Sequence, residues 1–315
     1  MVVLCGLVVP DALAQEKTAA KIIAPGTLPL SVTVAGLERR YLLHVPTGYD
    51  PARKWPVVIM FHGGGGTAAD AMRETGWTAK ADLEGFLAVF PEGTPPDASR
   101  PARFRGNPQT WNDGSARTGL GAVEQGVADV EFVAAMVAEI KTRFSVDEYR
   151  VYATGFSNGA SMTFRVAREL SELFAAVAPV AGADWLVTLP SRPVPLLYIT
   201  GTADPLNPFD GGEVRIGLKF YGVKKATMET VESWAAMAGY PREPATIYSK
   251  DGTTGTAYGF PGEKPVVVLY SIEGHGHHWP GGNSSLPESF AGNNTATLKA
   301  SDVIWEFFKA RSLVE

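Results

Sequence analysis

The chain has 315 residues, 45% of them hydrophobic, and 28 Lys and Arg against 33 Asp and Glu give it a formal net charge of −5. That length and apolar fraction suffice for one large buried core, while the mildly acidic, mixed charge with no basic tract argues against a nucleic-acid or membrane-surface partner. The single cysteine, Cys5, leaves the rest of the chain without a disulfide, a thiolate nucleophile or a cysteine-based metal site.

The apolar stretch at residues 2–10 is too short to span a bilayer. It runs into Ala12-Leu13-Ala14-Gln15, a small-x-small cleavage pattern, so residues 1–14 read as the back part of a signal peptide, truncated at its start, with one domain over 15–315. Strand-like runs come next at about 31–35, 38–45, 57–61 and 86–90. The third leads into His62-Gly63-Gly64-Gly65-Gly66, a turn whose backbone N–H groups can face an anion. No G-K-[ST] comes after it, which argues against a phosphate-cradling loop. Residues 91–121 form a loop too long for a mere connection, and it carries Trp111.

Val130, Val133, Val137, Ile140 and Phe144 recur at helical spacing and mark a core-facing helix. The most informative segment comes next. Residues 149–170, YRVYATGFSNGASMTFRVAREL, break a β-branched run at Gly155-Phe156-Ser157-Asn158-Gly159 and continue as a helical pattern. A strand-to-helix turn of this kind lifts a serine hydroxyl out of the backbone and leaves the Asn158 N–H at a helix start, where it can face a developing oxyanion. A serine so placed needs a base and an acid, and both occur downstream. The strand run 195–200 ends in Gly201-Thr202-Ala203-Asp204-Pro205, which puts the Asp204 carboxylate at a strand's C-terminal end; Asp184 and Asp210 are its rivals. A second long loop then spans about 204–221. The strand run 264–272 enters Glu273-Gly274-His275-Gly276-His277-His278-Trp279, which holds three of the five histidines. One of them is the expected general base. A metal centre is disfavoured, because no Cys and no helical H-E-x-x-H accompanies the set. Ala300, Val303, Ile304, Phe307 and Phe308 close the chain with another core stripe.

Alternating strands and helices imply an α/β fold, a mostly parallel central sheet with helices on both faces. Trp111, Trp185 and Trp279 are expected to form an aromatic rim over Ser157.

Taken together, FHGGGG, GFSNGASM, GTADPLNPFDGG and GHGHHWPGG at these relative positions resemble the secreted α/β-hydrolase esterases grouped with polyhydroxybutyrate depolymerases and feruloyl esterases. The likeness covers roughly residues 30–312. It departs from many members at the oxyanion loop, where glycine stands in place of cysteine. The resemblance implies Ser157 as nucleophile, Asp204 as acid and His277 as base, the last because it stands two places before Trp279-Pro280. It implies an oxyanion hole from the N–H groups of Asn158 and of Gly63 or Gly64, and no cofactor. The expected function is secreted hydrolysis of carboxylic esters, foremost 3-hydroxybutyrate oligomers or related polyesters. A feruloyl or acetyl-xylan esterase, a serine peptidase of the same fold, and an inactive secreted binding protein are the alternatives.

Overall fold

The computed structural model describes residues 24–313 apart from 217, 218, 241, 242, 261 and 296. The segment read as a signal peptide lies outside the described residues.

Two strands, β1 (Gly26–Val34) and β2 (Leu37–Val45), pair as an antiparallel hairpin through Ala35 and Gly36, both at positive φ. Strand β3 (Trp55–Phe61) is buried along its whole length, which is why it reads as an unbroken apolar run and not an alternating one. Helices α1 (Ala68–Thr75) and α2 (Trp77–Glu84) lead to β4 (Leu87–Pro91). After the long loop come the short α3 (Gly121–Glu124), the core helix α4 (Asp129–Arg143) and β5 (Val146–Phe156). Helix α5 (Asn158–Glu169), β6 (Ala176–Val180) and β7 (Leu196–Gly201) are next. The chain then adds the hairpin β8 (Gly212–Ile216) and β9 (Lys219–Lys224), helix α6 (Thr227–Met237), strands β10 (Ala245–Lys250), β11 (Thr253–Tyr258) and β12 (Val267–Ile272), and helices α7 (Glu288–Ala291) and α8 (Ala300–Lys309).

Among the described residues, ten strands form one sheet in the order β1-β2-β4-β3-β5-β6-β7-β12-β11-β10, and β8 and β9 form a second sheet of their own. The strands from β4 to β12 pair in parallel, and antiparallel partners flank them on both sides. Successive residues of β3 feed opposite faces. Val57, Ile59 and Phe61 join a core with Phe132, Val133 and Ile140 of α4, and Val58 and Met60 join another with Ile304 and Phe308 of α8. Helices therefore cover both faces, as the alternation implies. Because β5, β6, β7 and β12 are neighbours in parallel, the turns after β5, β7 and β12 all emerge at one edge of the sheet, where open α/β sheets bind ligands.

Two sequence expectations need correction. The loop expected over 204–221 contains β8 and runs into β9, so it is a hairpin wall; the charged residues of the two strands hid it. The strand-helix alternation expected to the end of the chain is interrupted by the antiparallel β10–β11 pair. Strand β10 is mostly exposed and carries little apolar signal, but Asp251-Gly252, both at positive φ, is a recognisable hairpin turn.

Candidate active site

Ser157 stands at the junction of β5 and α5 with φ 56° and ψ −119°, a conformation that L residues rarely adopt. Its neighbours make this possible. A Cβ on Gly155 would strike the Gly159 carbonyl, and one on Gly159 would strike the carbonyls of Phe61 and His62. The Ser157 N–H donates to Val180 O at 3.0 Å and ties the turn to β6.

The His277 ring lies between this serine and Asp204. Its Nε2 is 2.8 Å from Ser157 Oγ and its Nδ1 is 2.7 Å from Asp204 Oδ2. Asp204 comes just after β7 and accepts the Leu206 and Asn207 N–H groups on Oδ1, each at 2.8 Å. Burial alone would raise its carboxyl, but the His277 imidazole and these two backbone donors outweigh burial and hold it below the usual carboxylate range. An ionised Asp204 must accept from Nδ1–H, so Nε2 is left as an acceptor for the serine proton.

The rival acids are elsewhere. Asp184 forms a buried ion pair with Arg168 and accepts from Trp234 Nε1 at 2.8 Å, and no hydrogen bond of the site involves Asp210 among the described residues. The other two histidines of the loop shape its backbone. His275 accepts the Thr295 N–H on Nδ1 and its Nε2 faces His278 O; His278 faces Gly292 O and Ser284 Oγ.

The glycine-rich turn lies beside the elbow. Gly65 N–H donates to Gln109 O and Gly66 N–H to Gly63 O, whereas the N–H groups of Gly63, Gly64 and Asn158 have no protein acceptor among the described residues. Those three donors remain for an oxyanion. His62 braces the turn: Gly93 N–H donates to its Nε2 at 2.9 Å, so Nδ1 carries the proton and donates to Gly63 O at 2.8 Å. Burial pushes His62 down to about 4, which keeps it neutral in that tautomer. The Asn158 side chain bridges to the long loop, accepting the Trp111 N–H at 2.7 Å and donating to Trp111 O at 3.2 Å and Asp113 Oδ2 at 2.9 Å. A structural rather than catalytic role for His62 is what the sequence leads one to expect in such a turn, whereas the Asn158 bridge was missed, its partner being 47 residues away along the chain.

A cavity of about 590 Å³ opens over Ser157 and His277, walled by Phe104, Trp185, Val214, Tyr221 and Phe290 among others. Trp185 belongs to this wall, its Nε1 donating to Ser161 Oγ at 3.2 Å. The expected rim needs correction at the other two positions. Trp111 is fully buried against Phe61 and His62, with Nε1 donating to His62 O at 2.9 Å, so it supports the glycine turn from beneath. Trp279 is 3% exposed and absent from this wall; it packs among α1 and α8 and reaches only a smaller cavity on the other side of the glycine turn. An indole carries enough apolar surface to be drawn inside when its N–H finds a partner there, and neither sequence neighbourhood signals that.

A serine, histidine and carboxylate in hydrogen-bonded series at one edge of a largely parallel, helix-covered sheet define the layout of the α/β-hydrolases. The chain belongs to the dienelactone hydrolase family, which it matches over residues 43–215. It is 32% identical over 297 residues to a protein of Nocardia uniformis subsp. tsuyamanensis named an esterase, NocK, covering 89% of this chain and 82% of that one. It is 30% identical over 217 residues to feruloyl esterase B of Piromyces equi, covering 65% of this chain and 37% of the relative. Poly(3-hydroxyalkanoate) depolymerase C of Paucimonas lemoignei is 28% identical over 253 residues, 75% of this chain and 58% of that one, so the chain spans less than two thirds of these last two relatives. Among solved structures, acetyl xylan esterase from Aspergillus awamori superposes with a TM-score of 0.59 at 16% identity, over 90% of this chain and 99% of that one, a likeness of fold. The protein is a carboxylic ester hydrolase.

Proposed function

We propose that the protein is a secreted serine esterase that works through an acyl-enzyme, and that its substrates are small esters or soluble oligomers, foremost those of 3-hydroxybutyrate. The observation that carries the mechanism is His277, bridging Ser157 Oγ at 2.8 Å and Asp204 Oδ2 at 2.7 Å. In the proposed reaction Nε2 takes the hydroxyl proton as Oγ attacks the ester carbonyl. The N–H of Asn158 and that of Gly63 or Gly64 hold the oxyanion. The proton passes to the leaving alkoxide, and water then repeats the sequence on the acyl-serine.

A pocket of about 590 Å³ suits a ligand of a few units better than a polymer surface. Feruloyl esters are the second reading, favoured by the aromatic wall of Phe104, Trp185, Tyr221 and Phe290 and by the relative's name. Secretion is supported by the cleavage pattern before Gln15, and no helix among the described residues is long and apolar enough to cross a membrane. The test is product release by chromatography from a 3-hydroxybutyrate trimer and methyl ferulate offered side by side, with Ser157→Ala as the blank. Release from the trimer supports the first reading, release from the ferulate the second. Full activity in Ser157→Ala would overturn the mechanism.

A further inference from the structure

The walls of the catalytic cavity have a charge bias opposite to that of the chain. The protein carries five more acidic than basic residues, yet among the described residues the cavity is lined by two arginines, Arg105 and Arg117, and by no Asp or Glu. The two guanidiniums are not equivalent. Arg117 is paired with the buried Asp113, hydrogen-bonds Ser115 Oγ at 2.9 Å and lies 4.2 Å over the Trp185 ring, so its charge is compensated and its position fixed. Arg105 is exposed at the cavity mouth and has no side-chain hydrogen bond or ion pair among the described residues. It also lines a second cavity of about 340 Å³ that shares Gly63, Gly64, Phe104 and Leu286 with the first. That second cavity does hold carboxylates, Asp70 and Glu74, but Asp70 is taken up by Thr67 and Arg73, and Glu74 by Arg73 and Ser285.

Arg105 thus lines two cavities that share part of their walls, as an unpaired planar donor with five N–H groups, the side chain best matched to a carboxylate. Resting on the esterase reading above, we infer that the site selects esters whose far end carries a free carboxylate, such as acid-terminated hydroxyacid oligomers, and that Arg105 holds that carboxylate. The chain's net charge of −5 disfavours such a ligand at a distance, and a catalytic cavity lined by no carboxylate, with an unpaired cation at its edge, draws it to the nucleophile.

The experiment compares kcat/KM for a 3-hydroxybutyrate trimer with a free terminal acid against the same trimer capped as its primary amide. The amide keeps the size, removes the charge and exchanges one acceptor oxygen for an NH2 that a guanidinium cannot donate to. Wild type is expected to prefer the acid by about two- to fivefold, the range for a solvent-accessible charged contact. Arg105→Gln brings that ratio close to one, through KM on the acid, and Arg105→Lys restores part of it. Arg100→Gln removes a like charge from the same loop, paired with Asp97 outside the cavity, and keeps the preference. Equal rates on acid and amide in wild type, or an undiminished preference in Arg105→Gln, would overturn the inference. Cleavage of p-nitrophenyl butyrate with neither trimer cleaved overturns it too, while leaving the esterase reading intact. Failure on all three esters sinks the esterase reading itself.

Discussion

Replacing Asp204 by Asn exchanges a single oxygen for an NH2, and that exchange reverses the tautomer of His277. Oδ1 accepts the Leu206 and Asn207 N–H groups at 2.8 Å each, and Oδ2 faces His277 Nδ1 at 2.7 Å. An asparagine amide keeps its oxygen on the two backbone donors, because turning it over would set its NH2 against two N–H groups. The NH2 then points at Nδ1, which can answer only as an acceptor. The imidazole must carry its proton on Nε2, so it offers Ser157 Oγ a donor in place of a base. The expected loss in kcat is about 10⁴-fold, equivalent to about 5.4 kcal/mol of barrier at 1.36 kcal/mol per decade. The fold loses far less, about 1 to 3 kcal/mol for one charge-assisted bond made neutral. Steady-state hydrolysis of p-nitrophenyl butyrate gives the first quantity and calorimetric melting the second. A fall in kcat of less than about tenfold in a variant that melts cooperatively would refute Asp204 as the orienting acid, and a large fall in Asp184→Asn without loss of folding would move that role to the rival.

The backbone strain at Ser157 can be read by comparing two variants that both lack the hydroxyl. At φ 56°, Ser157→Gly is expected to be about 1 kcal/mol more stable than Ser157→Ala; equal urea midpoints would mean that the elbow relaxes. Lys224 is buried and donates to Pro208 O at 2.8 Å, and burial pushes its ammonium down to about 8. The unfolded chain, where lysine keeps its usual 10.5, therefore binds the extra proton between about pH 8 and 10.5, so Lys224 makes stability rise with pH across that window, by at most about 3 kcal/mol. Lys224→Met is expected to lack that rise, and identical pH dependence in the two proteins would show that the ammonium is hydrated.

Ser157 and Asp204 were readable because each sits in a short segment whose meaning is local, a serine between glycines at a strand-to-helix turn and an aspartate just past a strand. Chain order left three histidines after the last strand, and only the family resemblance singled out His277. The glycine turn was legible as a unit but not residue by residue. Gly65 and Gly66 spend their N–H groups on Gln109 and Gly63, and a partner 44 positions away leaves no trace in the motif. Trp111 was misread for a related reason, since a tryptophan in a long loop looks alike in sequence whether it faces a cleft or a core, and Trp279 reaches only the smaller cavity. The β10–β11 hairpin was within reach, since Asp251-Gly252 is a strong turn signal. The β8–β9 hairpin was not, because exposed, charged strands over a cavity lack the apolar alternation on which such reading depends.

The side chain of Asn158 joins the nucleophile's own helix to the Trp111–Asp113 stretch of the cavity's long loop, and Asp129 fastens that stretch again by accepting the Asn112 N–H at 2.7 Å and the Arg39 guanidinium at 2.6 Å. The other wall, the β8–β9 hairpin, meets the loop only farther along, where Gly119 lies against Lys219 and Tyr221, and forms a sheet of its own outside the main one. The two walls therefore differ in how freely they can diverge. Changes in the hairpin can alter what the pocket accepts while the reacting atoms stay in register. Changes in the Trp111–Asp113 stretch travel through one amide into the donors that receive the oxyanion, so that side of the pocket can acquire new selectivity only at the expense of turnover on every ester.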